Sequence, residues 1–238
     1  MSIPTLFDWF AGMTLAQWVA FSLAGNFMIL GASAMLCAWV ARRCHERPLF
    51  AQPQPITRGD VVLAVVATLL NSLVAVVGWL LWQRGWVQIT HPAWWRSAVD
   101  VVIFLIAMDL GMYVFHRLAH HPWIYPWLHA RHHTHVSVNA ISLFVLHPFE
   151  VLGFGALMLS VMMLVPLSGT AVLAYLTLNV LFGTLGHAGV EPFPEWWSRN
   201  VLLREIGSSS FHAGHHQHPA SNFGFYTQIW DRLLGTQK

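Results

Sequence analysis

The sequence predicts an all-α integral membrane protein, a bundle of about four to five spanning or hairpin helices with a histidine-rich helical cap. Apolar residues make up 56% of the chain and charged residues only 9%, whereas a soluble domain usually carries about 25% charged residues. The mean hydropathy is +0.54. Seven histidines lie within residues 116–135, at the end of the third long apolar stretch and directly after it. No linker or internal repeat divides the sequence, so we predict one domain over residues 1–238.

The spans are predicted from the length of the apolar stretches, because a helix needs about 20 mainly apolar residues to cross a bilayer. The predicted spans are residues 14–40, 61–82, 98–118, 149–164 and 170–185. The last two are short and are joined by the tight turn "PLSG", so a hairpin that does not fully span is equally consistent with the sequence. The N-terminus lacks the positive region of a signal peptide, so we expect the first span to be retained.

The basic residues predict the orientation. With five spans arranged in this way, ten of the twelve basic residues fall on one side, and Arg84 and Arg96 fall on the other. The side richer in Lys and Arg is usually cytoplasmic. The histidine-rich segments fall on that same side, which predicts a multi-pass protein with a site on the cytoplasmic face. The formal net charge of +2 gives no reason to expect a nucleic-acid partner.

Eight histidines share helical faces, because positions i, i+3 and i+4 lie on one side of an α-helix. They are His116 and His120 (the first box), His129, His132 and His133 (the second box), and His212, His215 and His216 (the third box). Eight ligands exceed the four of a zinc site, so we predict two metal ions, each with four or five nitrogens. The middle members, His132 and His215, point to the far edge of each arc and are expected to cross to the partner metal.

His187 is a ninth candidate ligand, because it ends the last span on the same side. Helix capping beside Gly186 and Gly189 is the alternative role for this residue. A basic or pH-sensitive patch would leave several charged imidazoles close together, which is unfavourable when they are buried. A b-type haem requires opposed histidines within the spans, whereas these lie at span ends. The off-face histidines are expected at the interface or in solvent: His45, His91, His121, His135 and His218.

Residues that orient the metal ligands are predicted next, because a metal-bound histidine usually donates its other N–H to a carboxylate or carbonyl. Asp109 lies two turns before His116 on the same face, and an acidic residue inside a span is usually functional. The further candidates are Tyr113, His147, Glu191, Asn222 and Asp231. For Glu191 and Asp231, a helix cap or an interfacial salt bridge is the alternative.

Five segments together resemble a known group of proteins. They are "DLGMYVFHRLAHH", "WLHARHHTH", "LHPFE", "GHAGVEPFP" and "FHAGHHQHPASNFGFYTQIWDRLLGT", spread over roughly residues 105–236. In order and spacing they resemble the fatty acid hydroxylase/sterol desaturase superfamily of integral-membrane histidine-box di-iron enzymes. The resemblance implies that the three boxes and His187 hold two iron ions. Imidazole suits several metals, so zinc or another metal remains possible in purified protein.

The resemblance also implies a reaction. O2 would be the co-substrate, and an unactivated C–H bond of a lipid from the bilayer would be hydroxylated or desaturated. A sterol, a fatty-acyl lipid and an ether lipid are all compatible. A separate donor of the ferredoxin, rubredoxin or cytochrome type would supply electrons. In some relatives a metal-site residue stands four positions before the ninth histidine; Gly183 stands there in this sequence, which leaves the second metal one ligand short or bound to water. His147 matches a motif of the sterol-oxidising branch.

The substrate channel is expected in the gaps between the third, fourth and fifth spans, which are lined mainly by Val, Leu, Met and Phe. The alternative function is a histidine-rich membrane transporter or sensor that binds metal without oxygenase activity. Transporters place their polar ligands near the bilayer midplane, whereas the boxes are predicted at one membrane face.

Overall fold

The computed structural model describes residues 6–238, and its regular secondary structure is almost entirely helical. The α-helices are α1 Leu6–Ala11, α2 Leu15–Arg43, α3 Arg58–Gln83, α4 Trp94–Ala119, α5 Tyr125–Leu128, α6 Pro148–Leu164, α7 Gly169–Gly186, α8 Glu195–Arg199, α9 Ser209–Gln217 and α10 Ile229–Leu233. Short 3-10 helices cover His132–Thr134, Ser142–Phe144 and Leu203–Glu205. Two short strands, β1 Ile89–Thr90 and β2 Leu167–Ser168, pair in parallel.

The helical membrane architecture predicted from the sequence is confirmed. By length and composition, α2, α3, α4 and α7 can each cross a membrane, and α6 is a shorter apolar helix. Local sequence explains where the helices begin. Thr14 and Thr57 form capping boxes at the starts of α2 and α3, and the Ser168 hydroxyl caps α7, each side chain accepting a backbone N–H that the first helical turn leaves free. The short helix α1 was not anticipated.

The hairpin of α6 and α7 crosses most of the bundle. Its turn contains β2, which pairs with β1 in the loop between α3 and α4, at the end opposite to the histidine boxes. The Ser168 N–H donates to Asp100 Oδ2 at 2.9 Å. Asp100 lies six residues after Trp94, the first residue of α4, which corresponds to about 9 Å along the helix. The turn of the hairpin therefore lies beside the second turn of α4 and the loop that precedes α4.

Helix α6 packs closely against α3 and α4 because glycines face both neighbours. A Cβ placed on Gly155 would lie 2.5 Å from Val74 of α3, and one on Gly153 would collide with Phe115 of α4. Small residues of this kind allow close helix contacts within a membrane. Away from these contacts the helices expose large apolar side chains, such as Ile106, which is 57% exposed. Such outer faces suit contact with lipid.

The segment after α9 returns into the bundle alongside α4. Asp109 Oδ1 accepts the backbone N–H groups of Tyr226 and Thr227, and Asp109 Oδ2 accepts the indole N–H of Trp230. The Tyr226 hydroxyl lies 2.6 Å from Asn179 Oδ1 of α7. Non-helical backbone at this depth needs partners inside the protein, and Asp109 provides them. Tyr226 therefore occupies part of the space between α4 and α7 in which the substrate channel was expected.

Candidate metal centre

The three boxes lie at helix ends on one side of the bundle. The first box occupies the last turn of α4, with His116 inside the helix and His120 as its C-cap. The second box is not on a regular α-helix, because His129 caps α5 and the 3-10 helix His132–Thr134 follows. The third box lies on α9, which the Ser208 hydroxyl caps. The side chains still share a face in the second box, since the short helical turns preserve the spacing.

The structure brings the nine predicted histidines together in two groups. Within each group the nearest ring nitrogens all lie within 4.8 Å of one another. The first group is His116, His120, His129, His133 and His215, and the second group is His132, His187, His212 and His216. His132 and His215 thus belong to different groups from their sequence neighbours His133 and His216. The position of His132 and His215 at the edge of each helical face had suggested that each would bind the other metal ion from its neighbours, and the two groups have that arrangement.

In the first group the Nε2 atoms face one another. They are separated by 2.9 Å between His116 and His129, 3.0 Å between His133 and His215, and 3.1 Å between His120 and His215. Around an ion bound at 2.0–2.1 Å, neighbouring nitrogens would be roughly 2.9–3.4 Å apart in octahedral to tetrahedral geometry. The donor set and its spacing therefore fit a single metal ion.

The second group has the same spacing with one histidine fewer. The Nε2 atoms are separated by 3.1 Å between His212 and His216, 3.2 Å between His187 and His212, and 3.4 Å between His132 and His187. Gly183 contributes its carbonyl, which accepts from His187 Nδ1 at 2.7 Å. Among the described residues, four histidines are the candidate protein ligands that converge here.

Backbone carbonyls orient several of the rings. His116 Nδ1 donates to the carbonyl of Phe223 at 2.8 Å, and His215 Nδ1 donates to the carbonyl of Ser221 at 2.7 Å. A carbonyl can only accept, so the proton of each neutral ring lies on Nδ1. The lone pair is then on Nε2, which faces the centre of the group.

Glu150 orients His129, a role that was not predicted from the sequence. Its Oε1 accepts from His129 Nδ1 at 2.6 Å, and both side chains are buried, with 1% exposure for Glu150 and 3% for His129. A carboxylate–histidine pair of this kind orients the ring and raises the basicity of the other nitrogen. Glu150 lies within the "LHPFE" segment, in the first turn of α6. One feature of the sequence could have identified Glu150: it is an acidic residue at the start of an apolar helix. It lies in the same segment as His147, which was predicted as a supporting residue in its place.

Burial keeps these imidazoles neutral. It holds the pKa of His132, His212 and His215 well below the usual value, and the neighbouring histidines lower it further. For His120 the same causes, burial first, lower the pKa to about 2. At neutral pH the clustered rings are therefore unprotonated, the form in which imidazole binds a metal.

Two of the predicted supporting residues contact other parts of the protein. Asp109 was expected to orient a box histidine, but its carboxylate is occupied by the returning segment at Tyr226 and Thr227. The Tyr113 hydroxyl lies 3.0 Å from Thr236 Oγ1. The expectation from helical spacing was wrong for Asp109, because the segment after α9 packs on this face of α4 and its backbone N–H groups bond to the carboxylate.

Asp231 and Asn222 support the boxes through the backbone. Asp231 accepts the N–H groups of Phe223 and Gly224 at 2.8 Å and 2.7 Å, and the Phe223 carbonyl in turn accepts from His116. Asp231 therefore helps to orient the His116 ring indirectly, by fixing the backbone of Phe223. The Asn222 amide group lies 3.5 Å from the carbonyl of Phe211 in α9.

Glu191 and His147 both act at helix starts. Glu191 Oε2 accepts from the backbone N–H and the hydroxyl of Ser210 at 2.9 Å and 2.6 Å, so it caps α9, which is the alternative role predicted for it. The His147 ring accepts the N–H of Phe149 at 3.3 Å and caps α6. Glu191 thereby positions the third box, whereas His147 contributes to the start of the helix that carries Glu150.

The off-face histidines divide into two kinds. His45, His91, His121 and His218 are exposed, as expected. His135 is 1% exposed, so the expectation of an interfacial or solvent position was wrong for it. Its Nε2 lies 3.2 Å from Asp60 Oδ1. The long-range contact with the start of α3 draws His135 into the interior, and spacing within the box carries no sign of that contact.

Comparison with known proteins agrees with the geometry. Residues 101–236 match the profile of a family described as fatty acid hydroxylase. The chain belongs to the fatty acid hydroxylase family. The matched region contains all nine clustered histidines and every supporting residue described above except Asp60.

Several characterised proteins are similar to this member of the family. A Delta(7)-sterol 5(6)-desaturase of Leptosphaeria maculans is 25% identical over 94% of this chain and 61% of its own length. Human cholesterol 25-hydroxylase is 26% identical over 94% of this chain and 81% of its own length. A very-long-chain aldehyde decarbonylase of rice is 27% identical over 71% of this chain and 28% of its own length. The chain thus spans about three fifths of the sterol desaturase. No solved structure matches the chain.

Proposed function

We propose that this protein is a membrane-bound oxidoreductase that uses O2 and two iron ions to hydroxylate or desaturate an unactivated C–H bond of a lipid. The observation that carries the proposal is the pair of histidine groups, whose nitrogens converge at one end of the apolar helix bundle. Membership of the fatty acid hydroxylase family supports the same chemistry. The similar proteins include enzymes named for desaturating and for hydroxylating sterols, so both outcomes are kept.

The residues of the chain fit this role. Bound iron would supply the activation of O2 and the oxidation of the C–H bond. The Nε2 atoms of the nine histidines would hold the two ions, and the carbonyls of Phe223 and Ser221 hold two of the rings in the required tautomer. Glu150 holds His129 in the same way. Seven of the nine rings are buried, and His120 and His212 are half-buried, which limits the access of water and protects reactive intermediates from side reactions.

The lipid would enter from the bilayer, as a sterol, a fatty-acyl lipid or an ether lipid. The electrons would come from a separate carrier of the ferredoxin, rubredoxin or cytochrome type. We place the metal centre and the docking of that carrier on the cytoplasmic face. The support for this side is the excess of basic residues at the end of the bundle that carries the boxes, for example Arg42 and Arg43 in the last turn of α2.

The proposal is tested with protein expressed with added iron and purified in detergent. We expect two metal ions per chain and O2 consumption that requires both a reductant and a lipid extract, with an oxidised lipid found by mass spectrometry. His215→Ala and His212→Ala should each lower metal content and abolish O2 consumption. His218→Ala is the matched control on the same segment and should leave both unchanged, because that side chain is exposed. Full metal binding with no O2 consumption in any lipid would instead indicate a transporter or sensor.

A further inference from the structure

A cavity of about 870 Å³ lies beside the end of α4. Pockets of about 300–1,000 Å³ are typical for small-molecule ligands. Its wall comes from α4, from the turn after it and from the C-terminal region, and includes Val114, Leu118, His120, Tyr125, Phe223 and Leu234. Most of these side chains are apolar. The lining contains no residue of α6 or α7 among the part of the chain that the structure describes, so the cavity is separate from the channel expected between those helices.

The inner end of the cavity reaches the first histidine group. His120 lines the cavity, and it is half-buried whereas the other four members of its group are buried. The rings of Tyr125 and Phe223 also line the cavity, with centroids 5.2 Å and 5.3 Å from that of His120. A molecule in the cavity would therefore approach the first group in contact with two aromatic rings.

A polar side chain is held in place at the same cavity. Arg117 donates from Nη1 to the Tyr113 hydroxyl at 3.1 Å. Thr236 Oγ1 donates to Asp231 Oδ1 at 2.7 Å, so the hydrogen of the buried Tyr113 hydroxyl is directed to Thr236 at 3.0 Å. The Tyr113 oxygen is then free to accept from Arg117. This chain of hydrogen bonds positions the guanidinium and leaves its other N–H groups available.

The charge of Arg117 is not balanced locally. In residues 6–238, Arg96, Arg131, Arg199, Arg204 and Arg232 form ion pairs with carboxylates, whereas Arg117, like Arg42, Arg43, Arg47, Arg58 and Arg84, forms none. A guanidinium matches the two oxygens of a carboxylate or phosphate by paired hydrogen bonds. An apolar cavity with such a group at its wall fits a molecule with an apolar body and an anionic head.

We propose that this cavity binds an amphipathic lipid with a carboxylate or phosphate head. Arg117 binds the head, while Tyr125 and Phe223 direct the apolar part toward the first histidine group. The identification of this lipid as the substrate rests on the proposed function, whereas its binding does not. The cavity also distinguishes the two groups, since His120 of the first group lines it and no member of the second group does.

The proposal is tested by photo-crosslinking in metal-loaded protein in dodecyl maltoside, a detergent without phosphate. The probes are a diazirine-bearing C16 fatty acid, the C16 alcohol with the same chain, and a lysophosphatidic acid with that chain. We expect the acid or the phosphate probe to label peptides that line the cavity more strongly than the alcohol does. Arg117→Gln should lower labelling by the anionic probes about tenfold or more, the usual contribution of a charge-assisted hydrogen bond, and leave the alcohol unchanged.

Three further variants complete the test. Arg43→Gln, at the end of α2, is the matched control and should not change labelling. Arg117→Lys keeps the charge and should retain part of the preference for anions. Ala220→Trp narrows the cavity and should lower labelling by all probes, which keeps the proposal testable if Arg117→Gln misfolds.

Two results would overturn the inference. Equal labelling by the acid, phosphate and alcohol probes would exclude recognition of an anionic head. Labelling confined to peptides outside the cavity would exclude the site itself. Crosslinking needs no turnover, so a protein that binds the anionic probes but consumes no O2 would refute the proposed function and leave this inference intact.

Discussion

Glu150→Gln tests the division of the histidines into two groups. The carboxylate accepts from His129 Nδ1 at 2.6 Å, and the two side chains are 1% and 3% exposed. A buried hydrogen bond to a charged group contributes about 1.5–3 kcal/mol, equivalent to about 10- to 150-fold in binding at 1.4 kcal/mol per tenfold. Loss of a residue that orients a metal ligand typically lowers metal affinity by about 10- to 100-fold. Both figures predict weaker binding by the first group.

The assay is metal content per chain after equilibration against a chelator-buffered series of free metal concentrations. We expect wild-type protein to retain two ions. Glu150→Gln should retain the ion of the second group and lose the other at about 10- to 100-fold higher free metal. His147→Ala is the matched control, because His147 lies three residues earlier and, within residues 6–238, its ring hydrogen-bonds to the backbone of Phe149 alone. Unchanged binding, or equal weakening at both sites, would refute the assignment of His129 and Glu150 to one group.

Two further predictions concern the supports of the site. Asp60→Asn should lower the free energy of unfolding, measured by thermal unfolding in detergent, by about 1.5–3 kcal/mol, because Arg131 and His135 both bond to this buried carboxylate. The control Glu195→Gln removes a charge from an exposed ion pair and should change the free energy of unfolding by less than about 1 kcal/mol. Equal effects of the two substitutions would contradict the reasoning. Gly183→Ala should lower the free energy of unfolding by about 1–3 kcal/mol through overpacking, because the added Cβ would lie 2.6 Å from Leu143 Cδ1. Adding Leu143→Ala should recover most of that stability, and no recovery would indicate another cause.

Features that depend on local sequence were predictable. The apolar runs located α2, α3, α4 and α7, because crossing a bilayer sets a minimum length of apolar helix. The spacing within each box placed its side chains on one face, and the crossing of His132 and His215 followed from that spacing. Even the irregular backbone of the second box did not disturb the grouping, since α5 before it and the 3-10 helix His132–Thr134 within it keep the rings together.

Features that depend on distant contacts were not predictable in this way. His129 and Glu150 are 21 residues apart, and nothing in either local pattern selects the other as its partner. His135 and Asp60 come from different elements, so the pairing that buries His135 is invisible to helical spacing. Asp109 lies on the predicted face, but the partner that reaches it is a segment more than 100 residues later. Tertiary packing determines which of several possible hydrogen-bond partners contacts each of these side chains.

The support of the boxes explains why the site depends on the whole bundle. Glu150 from α6 bonds to His129 of the second box, and Asp60 from α3 bonds to Arg131 and His135 in the same segment. The start of α9 is capped by Glu191 from the segment after α7. Consecutive residues serve different groups in two places, at His132–His133 and at His215–His216. A displacement of either segment therefore affects both groups at once. Because Asp60 lies outside residues 101–236, the segment that carries the second box is held by an N-terminal helix as well as by the region shared with the family.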